Sequence, residues 1–182
     1  GPAYLPCTPN ITTAAVLDGQ LYVVGGCDED DYLSSAEVYN LTTRCWSLIP
    51  HMNLHRSCCA AVSLCGKLIV VGGSDGNTRH AACEAYDPTT CQWCSIPSMQ
   101  TKRYGCAAVE VDGTLYVMGG DDGTSRLSSV EKLEMQESNN NDNFLQLTTQ
   151  PQMTQQCSTS MAQSTGSQAD QLPSPAQIPQ TL

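Results

Sequence analysis

Short apolar runs separated by turn-forming residues make up most of the chain, and no stretch of ten residues carries the period of an amphipathic helix. The middle of the sequence shows the pattern best, with apolar or alternating runs at residues 57–64, 67–72, 83–86 and 91–96. Short connections allow these four runs to pair as an antiparallel meander. The pattern predicts an all-β fold built from small four-stranded antiparallel sheets.

A repeat with a period of 47 residues organises the predicted strands. The recurring landmarks are the glycine pairs that begin at Gly25, Gly72 and Gly119, the turn glycines Gly19, Gly66 and Gly113, and the pairs Tyr39 and Tyr86, Trp46 and Trp93, Pro50 and Pro97, Met52 and Met99, and Arg56 and Arg103. The repeat predicts three units, at residues 10–56, 57–103 and 104–153. Residues 1–9 resemble the end of a preceding unit.

The third unit diverges from the first two in its second half. Leu133 stands at the tyrosine position, and no tryptophan follows at the expected distance. An insertion at residues 137–143 would bring Leu147, Pro151 and Met153 into the places of the tryptophan, proline and methionine. We therefore predict a polar insertion within this unit.

The second strand of each unit, at residues 21–24, 68–71 and 115–118, is apolar on both faces. Both faces of each sheet must then be covered by other sheets. Small sheets stacked face to face provide that cover, which is the arrangement of a β-propeller. Asp18 and Gly19 favour a tight hairpin turn before the first of these strands.

The order of landmarks resembles the kelch motif: a double glycine, a tyrosine, a tryptophan, a proline–methionine turn and an arginine. The resemblance implies three four-stranded kelch blades of an incomplete β-propeller, because closed propellers have at least four blades. It also implies a non-catalytic protein-interaction module, similar to the C-terminal kelch domain of BTB-kelch proteins. Their BTB and BACK domains, absent here, dock onto a cullin-3 ubiquitin ligase. The alternative is an actin-binding, cytoskeletal kelch protein.

The landmark residues have physical interpretations of their own. A glycine pair suits a strand end that needs positive φ or that meets the adjoining sheet. The tyrosines and tryptophans are expected to fill the wide outer wedge between sheets rather than to stack on a ligand. For Arg56 and Arg103 two interpretations stay open, structural pairing with a backbone carbonyl and outward contact with a ligand.

Loops after the second and fourth strands of each unit are expected at the same end of the propeller, where recognition residues concentrate. The partner-binding candidates on this face are Asp28, Glu29, Asp30, Tyr32, His55, Arg56, Asp75, Asn77, Arg79, Lys102, Arg103, Asp121, Asp122 and Arg126. Two interpretations of this charged rim stay open. It is either a solvated surface or a patch for a peptide that carries basic residues beside an acidic or hydroxyl group.

Charge narrows the choice of partner to a protein or peptide. Eight basic and 18 acidic side chains give a formal net charge of −10, which disfavours nucleic acid and anionic membranes and makes acidic actin filaments an awkward partner. No apolar run is long enough to span a membrane, and the N-terminus has no secretory signal. The opening Gly1 and Pro2, without a methionine, indicate a fragment or a processed chain.

The chain shows no pattern that predicts catalysis, a metal site or a cofactor. Its 11 scattered cysteines indicate reduced thiols and a cytoplasmic protein. Cys91 and Cys94 have the spacing of a metal pair, but residues three apart in a strand point to opposite faces, which favours a structural role. The few histidines have no tyrosine ligands of a copper site beside them, and no nucleophile elbow occurs.

Residues 154–182 are rich in Gln, Ser, Thr and Pro, with Asp170 as the one charged residue. Such a composition offers too little apolar surface to offset the entropy of ordering. We predict a disordered tail, serving either as solvated filler or as the site of a short linear motif.

Overall fold

A computed structural model describes residues 12–29, 31–136 and 146–150, and twelve β-strands form three four-stranded sheets in this part of the chain. We call the sheets blades 1, 2 and 3. Their strands are β1 (Thr13–Leu17), β2 (Gln20–Val24), β3 (Ala36–Asn40), β4 (Cys45–Ile49), β5 (Ala60–Leu64), β6 (Lys67–Val71), β7 (Cys83–Asp87), β8 (Gln92–Ile96), β9 (Ala107–Val111), β10 (Thr114–Met118), β11 (Val130–Gln136) and β12 (Gln146–Gln150). Neighbouring strands pair antiparallel in chain order. The prediction of an all-β fold with three four-stranded blades is confirmed.

The first hairpin of each blade closes with two residues of positive φ. Asp18 and Gly19 have φ of 49° and 70°, and Cys65 and Gly66 have 48° and 69°. Two successive positive φ values are the signature of the type I′ turn, whose twist matches that of the flanking strands. The tight turn predicted from Asp18 and Gly19 is therefore confirmed.

The blades stack face to face, and the central strand β6 is buried on both sides. Leu68 and Val70 pack into the apolar core shared with blade 1, whereas Ile69 and Val71 pack into the core shared with blade 3. All four side chains have 0% exposure. Two-sided burial explains why the four residues that follow Lys67 in this strand are all apolar.

In blades 1 and 2, the first glycine of the pair lies against the loop that leaves the same blade. A Cβ added at Gly25 would lie 2.2 Å from the carbonyl oxygen of Arg56, and one added at Gly72 would lie 2.4 Å from that of Arg103. Both glycines also have positive φ, 61° and 66°. The structure thus requires glycine at these positions for both of the predicted reasons, steric and conformational.

The landmark aromatic residues pack at the outer parts of the blades. Tyr86 and Trp93 form a tilted pair with centroids 5.2 Å apart, and both contact the core between blades 1 and 2. The Trp93 indole N–H donates to the carbonyl oxygen of Pro50, 2.7 Å away, in the loop that leaves blade 1. The predicted packing role is confirmed for this pair, and Trp93 additionally ties one blade to the next.

Blade 3 has a different register at its outer edge from the one we predicted. Leu133 pairs with Thr149, whereas Leu147 pairs with Met135. In blade 2 the tryptophan lies opposite the tyrosine, as Trp93 does to Tyr86, so Thr149 rather than Leu147 takes the tryptophan place in blade 3. The predicted insertion at residues 137–143, the segment at residues 1–9 and the predicted tail lie outside the described residues.

Candidate partner-binding face

Arg56 does not face solvent but joins blade 1 to blade 2. Its side chain has 0% exposure and forms an ion pair with the buried carboxylate of Glu84 on β7, with Nη2 and Oε1 3.0 Å apart. Nη1 donates to the carbonyl oxygens of Gly72 (2.5 Å) and Ala82 (2.8 Å). The placement of Arg56 among the partner-contacting residues is therefore wrong, because every donor of its guanidinium points into the protein.

Arg103 repeats the arrangement between blades 2 and 3, so it is also wrongly placed among the partner-contacting residues. Its side chain has 0% exposure and lies 3.1 Å from Glu131, and Nη1 donates to the carbonyl oxygens of Gly119 and Ser129. For both arginines the structure selects the interpretation of structural pairing, and in each case a carboxylate joins the backbone carbonyls. We call each arrangement an interblade latch.

The glutamates that pair with these two arginines, Glu84 and Glu131, were not identified from the sequence. Glu84 accepts hydrogen bonds from the backbone N–H groups of Asn53 (2.7 Å) and Leu54 (3.2 Å) as well as from Arg56. Glu131 holds the equivalent loop in the same way, through Gln100 and Thr101. The repeat itself could have revealed them, because Glu37, Glu84 and Glu131 recur with the same 47-residue period. In the structure all three glutamates are buried.

The loops that follow the second and fourth strands meet on one end of the blades, as expected. Met52 N–H donates to the Ser34 carbonyl, Arg56 N–H to the Leu33 carbonyl, and Gly26 N–H to the Arg56 carbonyl, at 2.7 to 2.9 Å. The three bonds recur one repeat later. The loops are thus fixed to one another by backbone hydrogen bonds, and we call the surface that they form the loop face.

Three aspartates one repeat apart shape the loops themselves. Asp28 Oδ1 accepts from the N–H of Asp31, and Asp75 Oδ1 accepts from the N–H of Asn77 and of Thr78. The hydrogen bond from Thr78 N–H is the largest cause that lowers the pKa of Asp75. Asp122 holds the equivalent turn in blade 3, where hydrogen bonds from Thr124 lower its pKa to about 2. These hydrogen bonds favour the ionised forms of Asp75 and Asp122. In each of the three aspartates, Oδ1 accepts a hydrogen bond from its own loop.

The side chain of Arg79 lies in the crevice between the loops of blades 2 and 3. Arg79 Nε lies 2.7 Å from Asp121 Oδ1, and the Arg79 guanidinium carbon lies 5.5 Å from the centre of the Tyr104 ring. A Cβ added at Gly123 would lie 3.3 Å from Arg79 Cδ, so the arginine crosses directly above the next turn. Arg79 and Asp121 therefore neutralise one another across the crevice.

The crevice between the loops of blades 1 and 2 is instead an open cavity of about 480 Å³. Predicted candidates Tyr32, His55, Asp75 and Asn77 come together in its lining, along with residues that were not singled out: Asp31, Leu33, Ser34, Ser35 and His51. The hydroxyl of Ser34 lies 3.3 Å from Nδ1 of His51. Apart from Leu33, the described residues that line the cavity carry hydrogen-bonding groups, among them two carboxylates and two imidazoles, and none of them is a lysine or arginine.

The remaining candidates are spread around this face rather than gathered at one point. Glu29, Lys102 and Arg126 are exposed, Arg126 at the blade 3 loop and Lys102 one repeat after His55. Asp30 lies outside the described residues. The cavity thus brings four of the candidates, Tyr32, His55, Asp75 and Asn77, onto a common concave surface.

Three reactive side chains outside the cavity, Cys59, Cys83 and His80, are buried in the fold. Burial raises the pKa of the Cys59 and Cys83 thiols to about 12, which keeps them protonated. His80 is also buried, and this burial lowers its pKa, while its Nε2 lies 3.2 Å from the His55 carbonyl oxygen. Among the described residues no group of three or more His, Cys, Asp or Glu side chains is arranged to hold a metal ion.

The sequence of these blades matches a known protein family. A family model described as the KLHDC2/KLHL20/DRC7 Kelch-repeats domain matches residues 4–120, which is more than half of the chain. A comparison with curated proteins gives no significant match. No helix that could cross a membrane occurs in the described part of the chain. The matched segment includes blades 1 and 2 and the first hairpin of blade 3.

Proposed function

Because the chain belongs to the Kelch-repeat domain family, whose members are generally non-catalytic protein-interaction modules, we propose that it is the substrate-recognition part of a kelch-like adaptor for a cullin-3 ubiquitin ligase. In such an adaptor the BTB and BACK domains bind cullin-3, and the blades bind the protein to be ubiquitylated. The blades contribute recognition only, so no catalytic residue is required of them.

The observation that carries this proposal is the rigid loop face. Interblade latches and backbone hydrogen bonds hold its loops in place, while exposed polar residues such as Tyr32, His55 and Asn77 surround a concave cavity. Preformed polar loops on a rigid scaffold bind a partner without a large ordering cost. The nine described cysteines are free thiols, as expected for an adaptor that works in the cytosol.

Co-purification from cells tests the assignment. The full-length protein that carries these residues should recover cullin-3, and the 182-residue chain alone should not. Recovery of cullin-3 by the isolated chain, or by neither form, would contradict the adaptor role.

Co-sedimentation with actin filaments separates the cytoskeletal alternative. The net charge of −10 should keep the chain in the supernatant at physiological salt, because the filament is also acidic. Saturable pelleting of the chain with filaments would favour an actin-binding protein instead.

A further inference from the structure

The two crevices of the loop face are related by the repeat but differ in charge. In the crevice between blades 2 and 3, Arg79 pairs with Asp121 and lies above Gly123. One repeat earlier, Tyr32 takes the place of Arg79 and lies above Gly76, where an added Cβ would be 2.5 Å from Tyr32 Cε2. The chain therefore supplies a guanidinium to one crevice and an aromatic ring to the other.

The cavity between blades 1 and 2 has two carboxylates in its lining but no guanidinium or ammonium group among the described residues that line it. Asp31 and Asp75 line it, and no lysine or arginine does. Asp75 Oδ2 has the His80 imidazole 3.8 Å away, and the side chain of Asp75 remains 35% exposed. The buried Arg56 is fully engaged by Glu84 and two carbonyls. In this part of the loop face, therefore, no described lysine or arginine of the lining pairs with the two carboxylates.

The remaining lining fits a flat cation. Tyr32 offers an aromatic ring to one side, as Tyr104 does for Arg79 in the other crevice. Ser34 and Asn77 add neutral hydrogen-bond acceptors. A cavity of about 480 Å³ accommodates one long side chain with adjoining backbone.

We propose that this cavity binds an arginine side chain of the partner protein, with Asp31 and Asp75 as counter-charges and Tyr32 as a stacking surface. The inference rests on the proposed function as a recognition module, and it names the chemistry that the module selects. An arginine is favoured over a lysine because a planar guanidinium can both stack and form forked hydrogen bonds.

NMR titration of the ¹⁵N-labelled 182-residue chain tests the proposal with a capped Gly-Arg-Gly peptide as the probe. Saturable shifts are expected at the amides of His51, His55 and Asn77. The same peptide with citrulline, the neutral isostere of arginine, should bind at least about tenfold more weakly. Equal binding of the two peptides, or shifts confined to other loops, would overturn the proposal.

Variants locate the site within the cavity. Asp75→Asn combined with Asp31→Asn should weaken the probe by about tenfold while keeping an oxygen acceptor for the Asp75 turn. The control is Asp112→Asn in the turn between β9 and β10, which is exposed and is not a partner-binding candidate, and it should leave affinity unchanged. Tyr32→Arg should abolish binding by filling the cavity with a cation of the chain, without removal of either carboxylate. If neither cavity variant weakens the probe, the cavity is not the site.

The outcome is independent of the ligase assignment. Arginine binding without cullin-3 recovery would overturn the adaptor role and keep the cavity as a recognition site. Cullin-3 recovery with no arginine binding would keep the adaptor role and overturn the cavity as an arginine site. A spectrum that retains its dispersion in each variant shows that a loss of binding is not a loss of fold.

Discussion

The substitution Glu84→Gln tests the idea that the interblade latch stabilises the stack of blades. The side chain of Glu84 is 2% exposed and lies 3.0 Å from the fully buried Arg56. Glutamine is nearly isosteric, but it leaves the guanidinium without a buried counter-charge. Its amide N–H₂ also faces the Asn53 N–H and amide donors, which the carboxylate accepts at 2.7 Å. Breaking one side of a buried ion pair costs about 3 to 5 kcal/mol.

That loss is large compared with the total stability of a domain, about 5 to 15 kcal/mol. For a urea dependence near 2 kcal/mol per molar, the unfolding midpoint should fall by about 2 M. Tryptophan fluorescence during urea unfolding measures the midpoint, since Trp93 lies at the same blade junction. The matched control is Glu134→Gln, which removes an ion pair with Lys132 in which both side chains are one third exposed.

The control should leave the midpoint unchanged, because an exposed ion pair is screened by water. If Glu84→Gln shifted the midpoint no more than Glu134→Gln, the latch would contribute nothing measurable. The stack would then depend on apolar packing alone.

Three further perturbations test other contacts. Gly72→Ala should destabilise the fold by several kcal/mol in chemical denaturation, because the new Cβ would lie 2.4 Å from a backbone oxygen. The control is Gly66→Ala, which has a similar φ but open space around it and should cost about 1 kcal/mol. Trp93→Phe should cost about 1 kcal/mol in the same assay through loss of the hydrogen bond to Pro50, and an unchanged midpoint would refute this tie between blades. Hydrogen bonds lower the pKa of Asp122 to about 2 in the fold, so its stabilising effect is complete above the unfolded-state pKa and is lost as pH falls from about 4 to 2. Acid unfolding followed by circular dichroism should therefore become less steep in this range for Asp122→Asn.

Periodicity alone predicts much of the fold. Because hairpin turns, glycine pairs and apolar strands all recur at one spacing, the strands of blades 1 and 2 can be placed within a few residues. The outer register of blade 3 cannot, because it depends on how the longer strand β11 pairs with β12. Leu147 is chemically suited to the tryptophan place, but backbone pairing puts Thr149 opposite Leu133.

The candidate site was harder to predict, for two physical reasons. A recurring arginine looks the same in sequence whether it faces a ligand or a buried carboxylate, and the partner of Arg56 lies 28 residues away on another sheet. The cavity, in turn, arises from a difference between units. A search for repeats finds what Tyr32 and Arg79 share in position, whereas the cavity depends on how their side chains differ.

The latch has a consequence for protein engineering. The loop between β4 and β5 is bonded to blade 1 through Ser34 and to blade 2 through Glu84. If the sheet of blade 2 alone were transplanted into another propeller, its buried Glu84 would lose Arg56, which lies in the preceding loop. The recipient protein would then have to supply an arginine in its place. Modular exchange of such sheets should therefore succeed only where donor and recipient carry compatible linkers, so the portable unit is a sheet together with the connection that precedes it.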